Sequence, residues 1–213
     1  MAATKRRVGK NGPAVSPIGL GCMSLSGVYG PSDDAAGERF VQQAVDLGVE
    51  FLDSSDMYGW GQNEELLGRA LKGGRREKIV LASKFGQTRN PGGQNGVNGR
   101  PEYVQQACEA SLKRLQTDYI DVYFQHRVDP DVPVEETVGA MARLVEQGKV
   151  GHLGLCEAKP ERIAAAHKVH PIAAVQSEYS LLYPEIGIAT RKVTRDLGIS
   201  FIAYSPLGRS LLA

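Results

Sequence analysis

Glu50-Phe51-Leu52-Asp53-Ser54-Ser55-Asp56-Met57-Tyr58-Gly59-Trp60-Gly61 is the stretch on which the reading of this chain turns. After Gly48-Val49, the apolar pair Phe51-Leu52 suits the end of a short strand covered on both faces, and the polar run behind it cannot extend one. Asp53 therefore closes the strand. Tyr58 follows in a segment whose Gly59 and Gly61 allow the chain to bend back over the strand end. A carboxylate and a phenol then share one pocket. Such a pair acquires chemical meaning only if other strands bring a cation and a second proton-active group to the same face.

Outward from that stretch, short β-rich runs alternate with amphipathic ones. Strands are predicted at Ile18 to Met23, Glu50 to Asp53, Ile79 to Lys84, Tyr119 to His126, Val150 to Leu155, Ile172 to Gln176 and Ser200 to Tyr204. Helices are predicted over 34–47, 63–72, 101–115, 134–147, 160–169 and 184–197, from apolar residues at three- and four-residue spacing such as Val104, Cys108, Leu112 and Leu115. Pro101, Pro160 and Pro184 suit first helical turns, and Asn63 before Glu64-Glu65 suits a helix cap. Gly48, Gly148 and Gly198 each end a helix just before a strand, a weak internal repeat of one strand-helix unit. Residues 7–17, with Asn11-Gly12 and two prolines, read as a hairpin ahead of the main fold.

Strict alternation with doubly covered strands calls for a parallel sheet. Helix-to-strand joins are tight while strand-to-helix loops are long, above all Phe85 to Arg100, which is the asymmetry of a (β/α)8 barrel with its site at the carboxyl ends of the strands. A doubly wound dinucleotide-binding sheet is the competing fold, suggested by Gly19-Leu20-Gly21. It fails because Ser24 replaces the third glycine and Val28-Tyr29-Gly30-Pro31 intervenes where a helix should begin. The 213 residues are read as one barrel domain, 1–213.

Charge and cysteine usage narrow the function. Lys and Arg total 25 against 24 Asp and Glu, so no basic stripe is available for nucleic acid or for an acidic membrane surface. Cys22, Cys108 and Cys156 are odd in number and far apart, which argues for free thiols in a reducing compartment. The first residues lack an apolar signal core, and no apolar run reaches membrane-spanning length, so a cytoplasmic protein is expected. His167 and His170 are expected to be solvent-exposed, and Asp53, His126 and Glu157 lack trustworthy metal-ligand spacing.

In a parallel barrel Asp53, Lys84 and His126 at strand ends and Tyr58 on the following loop emerge on one face. Singly, each has a bland reading as a satisfied loop or core residue. Lys84 is harder to set aside, because an ammonium at the inner end of Ile79-Val80-Leu81-Ala82-Ser83 needs a partner, and Asp53 can be that partner. The neighbouring ammonium would lower the Tyr58 pKa and make the phenol a usable acid toward a carbonyl oxygen, which His126 would orient. Hydride for the carbon must then come from a nicotinamide. Gln176 offers an amide for its carboxamide, Tyr204 a flat ring to stack on it, and Ser205-Pro206-Leu207-Gly208-Arg209 amides, a hydroxyl and a guanidinium for a pyrophosphate, with Cys156 and Glu157 beside them. Met57, Trp60, Phe85 and Val128 are candidates for an apolar substrate wall, and Gln87 to Gly99 for a flap.

The ordered set Asp53-x4-Tyr58-Gly59 with Asn63-Glu64-Glu65-Leu66-Leu67-Gly68, Ala82-Ser83-Lys84, Gln125-His126-Arg127-Val128-Asp129-Pro130, Gly154-Leu155-Cys156-Glu157-Ala158, Ala174-Val175-Gln176-Ser177-Glu178-Tyr179-Ser180 and Ala203-Tyr204-Ser205-Pro206-Leu207-Gly208-Arg209 resembles the aldo-keto reductase superfamily, nearest its bacterial and plant perakine-reductase-like branch. The resemblance implies a (β/α)8 TIM barrel and NADPH-dependent reduction of small aldehydes or ketones. Tyr58 would be the general acid, Lys84 and Asp53 its tuners and His126 the orienting group. It also implies cofactor contacts from Gly21, Cys22, Met23, Asp53, Cys156, Glu157, Gln176, Tyr204, Ser205, Pro206, Leu207, Gly208 and Arg209. Cys156 replaces the serine usual in the family, and a thiol is the weaker donor. Seven strands are readable, and the eighth strand and last helices, with the basic segment that holds the 2'-phosphate, are not. The expectation is a C-terminally incomplete barrel, part of a longer protein, with exposed sheet edges and weakened cofactor binding. A cofactor-sensing regulatory subunit, as in potassium-channel beta subunits, and an inactive fragment are the alternatives.

Overall fold

The computed structural model describes residues 4–89 and 92–213, so Met1 to Ala3 and Asn90-Pro91 of the expected flap lie outside the described residues. A short antiparallel pair, β1 (Arg6–Arg7) and β2 (Ala14–Val15), comes first. Five strands and three helices follow: β3 (Leu20–Gly21), α1 (Asp34–Asp46), β4 (Phe51–Asp53), α2 (Gln62–Ala70), β5 (Val80–Phe85), the antiparallel pair β6 (Gln87–Arg89) and β7 (Asn95–Val97), and α3 (Pro101–Leu115). The remainder is β8 (Ile120–Gln125), α4 (Val134–Glu146), β9 (Val150–Cys156), α5 (Pro160–Val169), β10 (Ile172–Glu178), α6 (Pro184–Leu197) and β11 (Ser200–Tyr204).

Seven strands form one curled parallel sheet in the order β11-β10-β9-β8-β5-β4-β3, the (β/α)8 arrangement without its C-terminal part. Helices cover the convex face. The two-residue period of a strand sorts β5 cleanly: Leu81 and Phe85 enter the core shared with the helices, whereas Val80, Ala82 and Lys84 face the concave interior. Phe124 fills that interior against Gly154, where a β-carbon would lie 2.3 Å from its ring. The β1–β2 hairpin closes the amino end of the sheet. Val8 and Val15 are buried among Phe51, Ala82, Val122 and Phe124, and the Gly9 amide donates to Ser200 Oγ at 2.8 Å. Each fully buried aliphatic side chain of this kind contributes about 1.5–3 kcal/mol.

The edges are β3 and β11, and near β11 the apolar side chains of Leu181, Ile188 and Leu211 are exposed, as an open barrel requires.

Local signals explain the element boundaries. Pro101, Pro160 and Pro184 open their helices, and Gly48, Gly148 and Gly198 are left-handed, with φ of 97°, 72° and 71°. The predicted cap at Asn63 is corrected. Gly61 precedes the helix, and Asn63 is buried inside its first turn, donating to the Cys22 carbonyl and Ser26 Oγ, both at 2.8 Å, and accepting from Ser54 Oγ at 2.7 Å. The predicted first strand over Ile18 to Met23 shrinks to two residues because the chain turns into a 3-10 segment at Met23. The long loop from Phe85 to Arg100 carries the unpredicted β6–β7 pair, whose residues show no apolar alternation.

Candidate active site

The carboxyl ends of the strands carry the chemistry. Lys84 is fully buried near the end of β5, where its ammonium pairs with Asp53 Oδ1 at the end of β4 and donates to the Ser54 carbonyl at 2.7 Å. It lies 3.2 Å from the Tyr58 hydroxyl and 4.9 Å from that ring's centroid. Asp53 Oδ2 accepts from Gln176 Nε2 of β10 at 2.9 Å, so the ends of three strands, β4, β5 and β10, are tied through one carboxylate and one ammonium. His126, just past β8, meets Tyr58 edge to face at 5.9 Å, and its Nδ1 lies 3.0 Å from Ser55 Oγ.

The backbone explains how Tyr58 reaches this point. Gly59 and Trp60 are both left-handed, with φ of 58° and 53°, and Gly61 has φ of 103°. The segment thus reverses tightly over the strand end, at a cost carried by Trp60, which lacks the freedom of glycine.

Electrostatics follow from burial and pairing. Burial alone would pull the Lys84 pKa down, but Asp53 and then Tyr58 overcome it and hold the ammonium charged above the usual lysine range. For Tyr58 the order is reversed. Burial raises its pKa more than the Lys84 charge lowers it, and Asp53 adds to the rise. The expected depression of the free phenol is therefore corrected: Tyr58 stays protonated at neutrality, with the Lys84 ammonium 3.2 Å from its hydroxyl. His126 is neutral, because burial, then Lys84 and Arg127, bring its pKa down to about 2.

A cavity of about 430 Å³ opens beside these groups, with Tyr58, His126, Asp53, Gly21, Met23, Gln176, Tyr204, Ser205 and Arg209 on its wall. Gly21 meets nothing within 4 Å of a β-carbon position, so the wall is open there. These residues fit the nicotinamide end of a dinucleotide: an amide at Gln176, an aromatic face at Tyr204, and Ser205 with Arg209 further out. Other expected contacts lie off the wall. Cys22 and Cys156 are buried behind it, their thiols pushed up to about 12 by burial. Glu157 turns its carboxylate to the Glu178 amide at 2.7 Å, and Pro206, Leu207 and Gly208 belong to the outer turn. Sequence spacing placed these residues near the strand ends correctly but could not give side-chain direction.

The expected apolar wall is also corrected. Met57 lines the cavity, but Phe85 is buried against Tyr123, Val128 packs on the main core, and Trp60 lies outside the cavity under the Arg89 guanidinium. Tyr29 and Arg127 line the cavity unanticipated, and Gln87, the first residue of the expected flap, lines it too. His167 and His170 are half-buried rather than exposed, and His167 Nδ1 accepts from the Ile172 amide at 3.1 Å. All three cysteines are free. Among the described residues no group of three His, Cys, Asp or Glu side chains could hold a metal, and no helix is long and apolar enough to cross a membrane.

Comparison with known proteins supports the same reading of the fold. The chain is 47% identical over 204 residues to the probable aldo-keto reductase 1 of Glycine max, covering 95% of this chain and 59% of that protein. It superposes on the holo form of aldo-keto reductase AKR11C1 from Bacillus halodurans with a TM-score of 0.88 at 33% identity, covering 99% of this chain and 69% of the other. The glycerol dehydrogenase AKR11B4 from Gluconobacter oxydans gives 0.89 at 28% identity, with 99% and 65% coverage. The chain thus spans about three fifths of the length of its curated relative. The family model for aldo/keto reductases matches residues 17–213, and with the parallel sheet and the relatives above this places the chain in the aldo/keto reductase family.

Proposed function

We propose that the protein is an oxidoreductase that reduces the carbonyl of a small aldehyde or ketone to an alcohol with NADPH. The observation that carries this reading is the buried Lys84 ammonium 3.2 Å from the Tyr58 hydroxyl, at the wall of a cavity that His126 also lines.

A reduced nicotinamide, when bound, supplies hydride to the carbonyl carbon. Gln176, Tyr204, Ser205 and Arg209, with Gly21 and Met23, would hold it. The carbonyl oxygen rests between Tyr58 and His126. As negative charge grows on that oxygen, the Tyr58 hydroxyl transfers its proton, and the fixed Lys84 charge stabilises the phenolate left behind. Asp53 keeps Lys84 charged and in place, and its second oxygen is held by Gln176. A neutral His126 donates a hydrogen bond without competing to give up a full proton. Substrate selectivity falls to Tyr29, Met57, Gln87 and Arg127 at the mouth.

The regulatory alternative is less favoured, since a sensor of bound nucleotide has no need of a phenol, a buried ammonium and an imidazole brought together at one cavity. Consumption of NADPH against a panel of aldehydes and ketones separates the two. Carbonyl-dependent consumption supports the reductase; tight NADPH binding with no consumption by any carbonyl would favour the sensor.

A further inference from the structure

We propose that Ser55 is a positioning residue that sets the tautomer of His126, donating its hydroxyl proton to Nδ1 so that Nε2 carries the hydrogen presented to the substrate oxygen. The inference rests on the reductase reading for its catalytic consequence but concerns a hydrogen bond within this chain.

A neutral imidazole has one N–H and one lone pair, and the partner of one nitrogen decides the state of the other. Nδ1 of His126 has Ser55 Oγ as its partner among the described residues, at 3.0 Å, and Ser55 is not on the cavity wall that His126 lines. Ser55 is fully buried, so its hydroxyl is chosen by protein groups rather than by bulk water. It has one proton and three acceptors in range: His126 Nδ1 at 3.0 Å, Asp56 Oδ1 at 3.3 Å and the Lys84 carbonyl at 3.5 Å. The shortest is the imidazole. The hydroxyl oxygen is meanwhile approached by the Met57 amide at 3.3 Å, which fills an acceptor site and leaves the proton free to point at Nδ1. Asp56 is the strongest competitor, but burial and then the Glu64 charge favour its neutral carboxyl, which pulls less on that proton than a carboxylate would.

With the opposite tautomer, Nδ1–H would donate to Ser55 and a bare Nε2 lone pair would face the carbonyl oxygen, repelling it as charge develops. The Ser55 hydroxyl therefore determines whether His126 assists or opposes the reaction, from a position that does not touch substrate. It lies three residues before Tyr58 in the same turn, so one loop supplies both the acid and the group that sets the orienting histidine.

The test uses the 213-residue chain with 15N-labelled histidine, the two-bond proton-nitrogen pattern of His126 being identified by its loss in His126→Gln. At neutral pH the pattern is expected to show protonated Nε2 and bare Nδ1. In Ser55→Ala the pattern should become mixed or inverted, and kcat for aldehyde reduction should fall about tenfold or more, with KM for NADPH within about twofold of wild type. Ser55→Thr, which keeps the hydroxyl, should restore both. A protonated Nδ1 in the wild type, or Ser55→Ala leaving the pattern and kcat unchanged, overturns the proposal. Absence of carbonyl turnover in the wild type counts against the reductase reading instead, and the nitrogen pattern still decides the role of Ser55.

Discussion

Lys84 Nζ stands 3.2 Å from the Tyr58 hydroxyl while its other contacts, Asp53 and the Ser54 carbonyl, anchor it from the far side. The ammonium cannot move away from the phenol without breaking a buried ion pair. The relative position of phenol and ammonium, and the charge on the ammonium, are thus fixed by the fold.

Removing one member of that pair should be costly. Lys84→Met leaves Asp53 uncompensated next to a fully buried site and is expected to lower stability by about 3–5 kcal/mol. Adding Asp53→Asn should recover much of that loss without recovering carbonyl reduction. Denaturant unfolding of the two single variants and the double variant reads the coupling. A double variant no more stable than Lys84→Met would mean that the pair contributes no electrostatic specificity.

His126 should make the fold acid-sensitive. Its folded pKa, about 2, lies below the ordinary 6.5 of an unfolded histidine, so between those values the unfolded chain binds the extra proton. The contribution is complete above about pH 6.5 and is lost progressively as pH falls toward 2. Between pH 7 and pH 5 the urea midpoint of wild type should fall more than that of His126→Gln. Equal falls would mean that His126 is charged in the folded protein.

Asp56 has the opposite sign. Burial first and Glu64 second raise its folded pKa from 3.8 to about 7, against the pull of Arg114. Between those values the folded chain holds the extra proton, so this group's contribution declines as pH rises from about 4 to 7 and stays low above. Asp56→Asn is expected to raise the urea midpoint at pH 8 relative to wild type and to leave it nearly unchanged at pH 4. A variant less stable at pH 8 would show that the carboxylate has a partner there that favours its charge.

Asn63 joins three segments through its amide, and Asn63→Ala should cost about 1–3 kcal/mol by leaving the Cys22 carbonyl and Ser54 hydroxyl without that partner. Because those segments carry one wall of the cavity, NADPH affinity should fall alongside stability. Isothermal titration together with thermal unfolding tests this, and loss of stability with unchanged affinity would confine Asn63 to a structural role.

Much of this was legible in the sequence because it depends on periodicity and on turn chemistry. Pro101, Pro160 and Pro184 marked helix starts, and Gly48, Gly148 and Gly198 marked the turns into the next strands, to within a residue or two. The grouping of Asp53, Tyr58, Lys84 and His126 also followed, since strand ends in a parallel sheet share a face. What stayed hidden depends on side-chain direction and on the balance of opposed energies. Asn63 looks like a cap because its type and position allow it, and only the fold shows its amide turned inward to Cys22. Phe85 and Val128 sit next to cavity residues in sequence yet point into the core. The sign of the Tyr58 shift could not be read either, because burial and the Lys84 charge act against each other and their sizes depend on depth.

The most direct measurement is single-turnover oxidation of NADPH by an aldehyde, compared between wild type and Tyr58→Phe, with NADPH affinity measured on both. The expected result is a fall of about 10²–10⁴-fold in the hydride-transfer rate with affinity unchanged, since only the transferable proton is removed. A Tyr58→Phe variant that oxidises NADPH at the wild-type rate would contradict the assignment of Tyr58 as the proton source and, with it, the role given to Lys84.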